Sequence, residues 1–326
     1  MQGTVILGAG SNFFGQLGLG YKERNESEKE ATFFGNSDES ALDTEQVSDI
    51  QCGSQFTVVL TKNGSLNICG TLNGNVFPSL SPLEIHLPIK CVQVACGRRH
   101  VLLLMERGIV MSWGTGYFGQ LGHGDDSSWD SPRMISVLEP KRLGAKVINV
   151  ACGGSHSGVI TDSGRVFMWG LNRSGQCGQG LSAKGKSDSV LEPRPVDFSH
   201  LSNHGALGVK SLVLGRNHSA MLSTTGRVFT WGEAGFGRLG LNDVKKTQLT
   251  PVEVVAFSKN PVAVLSAGDF HMLALTQDGQ VYSWGYGVDG QTGHSAVRFY
   301  EMFPVHVFSS RYTSHSSVDI RCVSTT

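Results

Sequence analysis

Four histidines, His100, His156, His218 and His271, hold one place in a recurring pattern, and Phe56 takes the fifth. Gathered imidazoles can ligate a transition metal or carry protons. Here there is one per repeat, each closing the same Gly-x-x-His turn. A repeated structural hydrogen bond is the simpler use, and no metal site is expected. A second candidate is Gly180-Leu181-Ser182-Ala183-Lys184-Gly185-Lys186-Ser187, which spells a phosphate-cradling loop. That chemistry needs a strand before it and a helix after it, whose N-terminal amides meet the phosphate. Pro193 and Pro195 follow instead, so the stretch reads as a surface loop. Gly114-Thr115-Gly116-Tyr117-Phe118-Gly119 and residues 285–290 match a dinucleotide fingerprint in letters and fail on the same ground. No Ser/His/Asp or Cys/His arrangement stands out from the repeat. The expectation is a non-enzymatic chain with no catalytic residues, no cofactor and no metal.

What remains is binding chemistry. Arg98, Arg99, Arg216 and Asp269 fall in the Gly-x-x-His turns, and Arg173, Phe13, Phe14, Tyr117, Phe118, Phe236 and Tyr286 in the Gly-rich loops that follow each repeat. Arginine and aromatic side chains supply most of the energy at protein interfaces. If antiparallel strands carry these turns, the Gly-x-x-His turn and the loop after each Trp-Gly lie on one face. That face is the expected partner-binding site, and an acidic or mixed-charge protein surface is its expected occupant.

The elements that would position these side chains are written in the repeat. Its clearest copy is VACGGSHSGVITDSGRVFMWGLNRSGQCGQG, residues 150–180. From Cys52 to Gly70, Cys96 to Gly114, Cys152 to Gly170, Leu214 to Gly232 and Ala267 to Gly285 the interval is the same 18 positions. Between copies the length varies, as surface loops do. Within a copy the apolar period is two, in short β-branched runs cut by Gly-containing turns. A fourth strand is expected at 131–135, 250–254 and 303–307, each led in by proline, which suits an edge. Trp113, Trp169, Trp231 and Trp284 share one slot and are expected to pack between units. Four strands in a unit of about 50 residues make a propeller blade, which buries its faces only by stacking on neighbours. The fold class is therefore all-β, a β-propeller. Counting turn glycines from Gly10 to Gly285 gives six blades. The tail Val318-Asp319-Ile320-Arg321-Cys322 would supply the first strand of a closing blade shared with the N-terminus.

Composition agrees. The 326 residues include 42 Gly, and only 17% are charged, against a typical ~25%. Lys+Arg and Asp+Glu are 27 each, which argues against a nucleic-acid binder working through its overall field. No apolar run approaches the ~18 residues of a membrane span, and the start has no secretory pattern. Seven Cys without a CxxC pair fit free thiols in a reducing compartment, so a cytoplasmic or nuclear location is expected. One propeller domain over 1–326 is expected, with two insertions. Residues 21–46 carry eight acids and three bases, a net of −5, and residues 181–208 are Ser/Lys/Gly-rich and then His/Leu-rich.

The unit ending Gly-x-x-His, followed by V-x-x-W-G and G-Q-L-G, closely resembles the repeat of the regulator of chromosome condensation family. The resemblance covers nearly the whole chain, including Leu7-Gly8-Ala9-Gly10 and Gly15-Gln16-Leu17-Gly18-Leu19-Gly20 as the opening blade. It implies a propeller of seven blades, one more than the glycines count. The founding member exchanges guanine nucleotide on the small GTPase Ran and binds nucleosomes. Other relatives are interaction platforms in ubiquitin ligases and ciliary proteins, and one is a plant UV-B photoreceptor. The photoreceptor's tryptophan-bearing turn is absent, because Gly97-Arg98-Arg99-His100 stands there. The resemblance thus leaves a protein-binding propeller, or alternatively an exchange factor for a Ran-like or Rab-like small GTPase. No direct nucleic-acid or membrane partner is expected.

Overall fold

The computed structural model describes residues 7–8, 13–14, 16, 32–33, 46–83, 89–180, 188–204, 208–243, 245–294 and 299–309. Five four-stranded antiparallel sheets follow one another along the chain: blade 1 (47–83), blade 2 (91–134), blade 3 (147–195), blade 4 (209–253) and blade 5 (262–309). A two-stranded ladder pairs Leu7–Gly8 with Thr32–Phe33. The count is consistent with six or seven blades. The closing blade read into the tail at 318–322 lies outside the described residues.

Blade 3 shows how the repeat folds. Val147–Cys152, His156–Thr161, Val166–Leu171 and Ser189–Pro195 pair in that order. The hairpin at 162–165 closes with Gly164 at φ +75°, a left-handed turn that a residue with a Cβ enters at a cost. Second strands are buried at every position in blades 1 to 4. That explains runs such as Val159-Ile160, since both sides of the strand meet a neighbouring blade. In blade 5, His271–Thr276 alternates between buried and half-buried, so one of its faces is only partly covered.

The core lies between blades. One cluster joins Leu102 and Leu104 of blade 2 to Val159 and Trp169 of blade 3 and to Leu212, Met221 and Trp231 of blade 4. Blades 2 to 5 are also tied, each to the next, through a loop carbonyl. The Gln120 carbonyl accepts from Trp169 Nε1 and Ser157 Oγ, both at 2.8 Å. The Gln176 carbonyl accepts from Trp231 Nε1 at 2.9 Å and Ser219 Oγ at 2.7 Å. Trp284 Nε1 donates to the Arg238 carbonyl at 3.0 Å. In blades 3 to 5 the shared tryptophan is thus both core and clasp.

Two sequence expectations need correction. The fourth strands run Trp129–Met134, Gln248–Glu253 and Tyr300–Ser309, so Pro132, Pro251 and Pro304 stand inside them rather than at their start. These strands are sheet edges, where a missing N–H breaks no ladder. The stretch 181–208 also contains the fourth strand of blade 3, Ser189–Pro195, so it is not wholly an insertion.

Candidate functional site

Where first strands meet second strands, the five turns converge. A cavity of about 180 Å³ is lined at this end by Cys52-Gly53-Ser54, Cys96-Gly97-Arg98, Cys152-Gly153-Gly154, Leu214-Gly215 and Ala267-Gly268-Asp269. Equivalent positions from all five blades share one pocket, so it is the mouth of the propeller axis. The loop after each Trp-Gly leaves from the same end. Thr115 N donates to the Arg99 carbonyl at 2.8 Å, Glu233 N to that of Asn217 at 2.9 Å and Tyr286 N to that of Phe270 at 2.9 Å.

The turn glycines are set by their histidines. A Cβ at Gly97 would stand 2.2 Å from His100 Cε1, and one at Gly153 would stand 2.3 Å from His156 Cε1. The ring fills the space that glycine leaves. His100 Nε2 meets Ser157 Oγ of the next blade at 2.9 Å, and His156 Nε2 meets Ser219 Oγ at 3.0 Å. Both serine hydroxyls already donate to the Gln120 and Gln176 carbonyls, so the network assigns the donor role to Nε2–H. Nδ1 is then a bare lone pair, matching its lack of a partner among the described residues. Burial pushes the His100 pKa down to about 4 and that of His156 to about 3, so both are neutral. Phe56, in the same slot, is followed in blade 2 by Val101 rather than a hydroxyl residue, and both are fully buried. His100 and His156 thus link one blade to the next.

Charge collects around the mouth. Arg98 is half-buried, and its Nε has no hydrogen-bond partner among the described residues. Desolvation, and then the Arg216 cation, lower its pKa; Asp269 opposes them. The buried Asp269 Oδ2 likewise has no hydrogen-bond partner among the described residues. Arg216 N donates to the Asp269 carbonyl at 3.1 Å, and its guanidinium lies 5.2 Å from the Phe270 ring centroid. Arg99 is exposed beside them.

Of the sequence-expected residues, the structure brings Arg98, Arg216 and Asp269 together, with Phe236 and Tyr286 joined to them through Phe270. The rings of Phe236 and Tyr286 are 5.2 Å apart, those of Phe236 and Phe270 6.2 Å, and those of Phe270 and Tyr286 6.1 Å. Arg173 stands apart, exposed and paired with Asp188 at 3.2 Å. Tyr117 and Phe118 are exposed on the blade 2 loop, and neither ring joins this group. Phe14 packs edge-on against Phe13, and its carbonyl accepts from Thr71 Oγ1 at 3.3 Å. Phe270 and the buried Arg238 escaped the sequence reading. Arg238 had a visible signal, since it replaces glutamine in a Gly-Gln-Leu-Gly unit.

The family model described as the RCC1-like domain matches residues 2–324. The chain belongs to the RCC1-like domain family. It is 30% identical over 302 residues to the ultraviolet-B receptor UVR8 of Arabidopsis thaliana, covering 90% of this chain and 63% of that protein. It is 30% identical over 309 residues to the secretion-regulating guanine nucleotide exchange factor of Bos taurus, covering 90% and 62%. Among solved structures, human WBSCR16 superposes with a TM-score of 0.76 at 26% identity, over 97% of this chain and 78% of that one. The chain thus spans less than two thirds of the length of both curated relatives. The RCC1-like repeats account for the propeller and for the repeated histidine and tryptophan slots.

Proposed function

We propose that this RCC1-like propeller is a non-enzymatic interaction module that binds a partner protein at the axial mouth, through Arg98, Arg99 and Arg216 and the neighbouring aromatic rings. The observation that carries this reading is electrostatic. Arg98 and Asp269 are the charged residues that line the opening, Arg216 and Arg99 lie close enough to repel the Arg98 cation, and a buried Arg98 N–H is left without an acceptor among the described residues. A half-buried cation opposed by its own desolvation and by a neighbouring like charge gains most from an incoming carboxylate. The test compares affinity capture by the wild-type chain with capture by Arg98→Glu/Arg216→Glu. Binders of the wild type should be lost from the double variant; an unchanged set of binders overturns the reading.

A second reading has its own support. Similarity to a guanine nucleotide exchange factor over 90% of this chain favours exchange on a small GTPase. Exchange asks only for preferential binding of the nucleotide-free state, which is a differential affinity and not bond chemistry. Release of fluorescent nucleotide from a panel of Ran-like and Rab-like GTPases decides between the two. Acceleration of about 100-fold or more selects exchange.

A further inference from the structure

In four loops a glutamine side chain secures the turn. Gln16 Oε1 accepts from Phe14 N, Gln120 Oε1 from Phe118 N, Gln176 Oε1 from Ser174 N and Gln291 Oε1 from Asp289 N, each at 2.9 Å. Blade 4 carries Arg238 at this place, and a guanidinium has no acceptor to offer. Its Nε donates instead to the Gly235 carbonyl at 2.7 Å, and its Nη1 reaches Glu233 Oε2 at 3.2 Å. Phe236, the counterpart of Phe14, Phe118, Ser174 and Asp289, has lost that acceptor. Alone of the five it adopts a left-handed φ of +60°. A non-glycine residue pays for that conformation, and such strain concentrates where a side chain has a task.

The consequence is a built surface. Arg238, only 1% exposed, lies 4.9 Å from the Phe270 ring centroid and 5.6 Å from that of Phe236. Phe236 remains 44% exposed, edge-on to Tyr286 and Phe270. This aromatic group abuts the mouth directly, since Phe270 follows Asp269 in the chain and carries Arg216 on its ring.

We infer that Phe236, Phe270 and Tyr286, held up by Arg238, form an apolar subsite beside the cationic mouth, and that its occupant is a large apolar side chain next to a carboxylate in an acidic segment of a partner protein. The inference rests on the mouth being the partner site. Charge complementarity names the occupant's acid, and the adjoining rings name its neighbour. Arg238 is a positioning residue: it lies beneath the rings and acts through Phe236.

The probe is a fluorescent peptide library with glutamate or aspartate flanking one variable position, read by anisotropy. Leucine, phenylalanine or tryptophan at that position should bind about tenfold tighter than alanine. Phe236→Ala and Arg238→Gln should each erase that increment. Arg98→Glu should abolish both. A crystal structure of Arg238→Gln should show the Phe236 N–H bonded to the new glutamine and its φ negative. Equal binding of the apolar and alanine peptides overturns the subsite and leaves the mouth intact. Peptides with glutamine in place of the acids binding as well as the acidic ones would instead overturn the mouth. Tighter binding of a single-stranded oligonucleotide, lost in the same variants, would overturn a protein occupant. An Arg238→Gln loop that keeps Phe236 left-handed refutes the positioning role without any ligand.

Discussion

At the scale of the residue, the decisive contact is between a turn glycine and the ring three positions on. Gly97 to Ala would set a methyl group 2.2 Å from the His100 ring, which is boxed in by blade 3. Overpacking of this kind costs about 1–3 kcal/mol, so chemical denaturation of Gly97→Ala should show a lower midpoint with an unchanged slope. Gly144→Ala is a control, because its Cβ would meet nothing within 4 Å, though its φ of +69° still carries a backbone cost. Protonation supplies a second prediction. His100 and His156 have folded-state pKa values depressed by burial to about 4 and about 3, below the ~6.5 of a free imidazole. Between those limits the unfolded chain binds more protons, so stability rises with pH. The stabilisation is full above pH ~6.5 and is lost as pH falls towards 4 and 3. Urea midpoints measured from pH 7 to pH 4 should fall, and less steeply in His156→Gln; a flat profile would mean that these rings are hydrated.

The blade is the next scale, and its stability belongs to its neighbours. Trp231 fills the gap between blades and donates to the Gln176 carbonyl. Trp231→Phe keeps most of the apolar volume and removes the N–H, so the expected loss is about 1 kcal/mol. Hydrogen exchange should quicken in the 172–178 loop as well as in blade 4; a change confined to blade 4 would contradict the clasp. These elements were legible in the sequence because one repeated demand, burial on both sides of a short strand, left a period of two and an unvarying interval between turn and Trp-Gly. The ends of the fourth strands were less legible. Trp129 and Gln248 lie in edge strands with one unpaired side, where a proline is tolerated and the pattern is diluted. In the site, Arg98, Arg216 and Phe236 could be read from turn position alone. Phe270 was hidden because its ring serves the mouth only through contact with Arg216, Phe236 and Tyr286. Arg238 needed the comparison of each Gly-Gln-Leu-Gly loop with the others.

For the whole molecule, a propeller offers two unlike ends. The hairpin end presents tight turns such as 162–165 and 277–280, whose polar groups are largely satisfied locally, as where Thr276 Oγ1 accepts from Gln280 N at 3.0 Å. The mouth end gathers cations, exposed rings and buried polar atoms without hydrogen-bond partners among the described residues. RCC1-like repeats thus provide a rigid frame, and individuality lies in the turns that the frame brings to the axis. Amide hydrogen exchange on the complex with a captured partner tests that assignment most directly. Protection is predicted at 53–55, 97–99, 153–155, 215–217, 233–238 and 268–270. Protection confined to the hairpins at 62–65, 106–108, 162–165, 224–227 and 277–280 would contradict it.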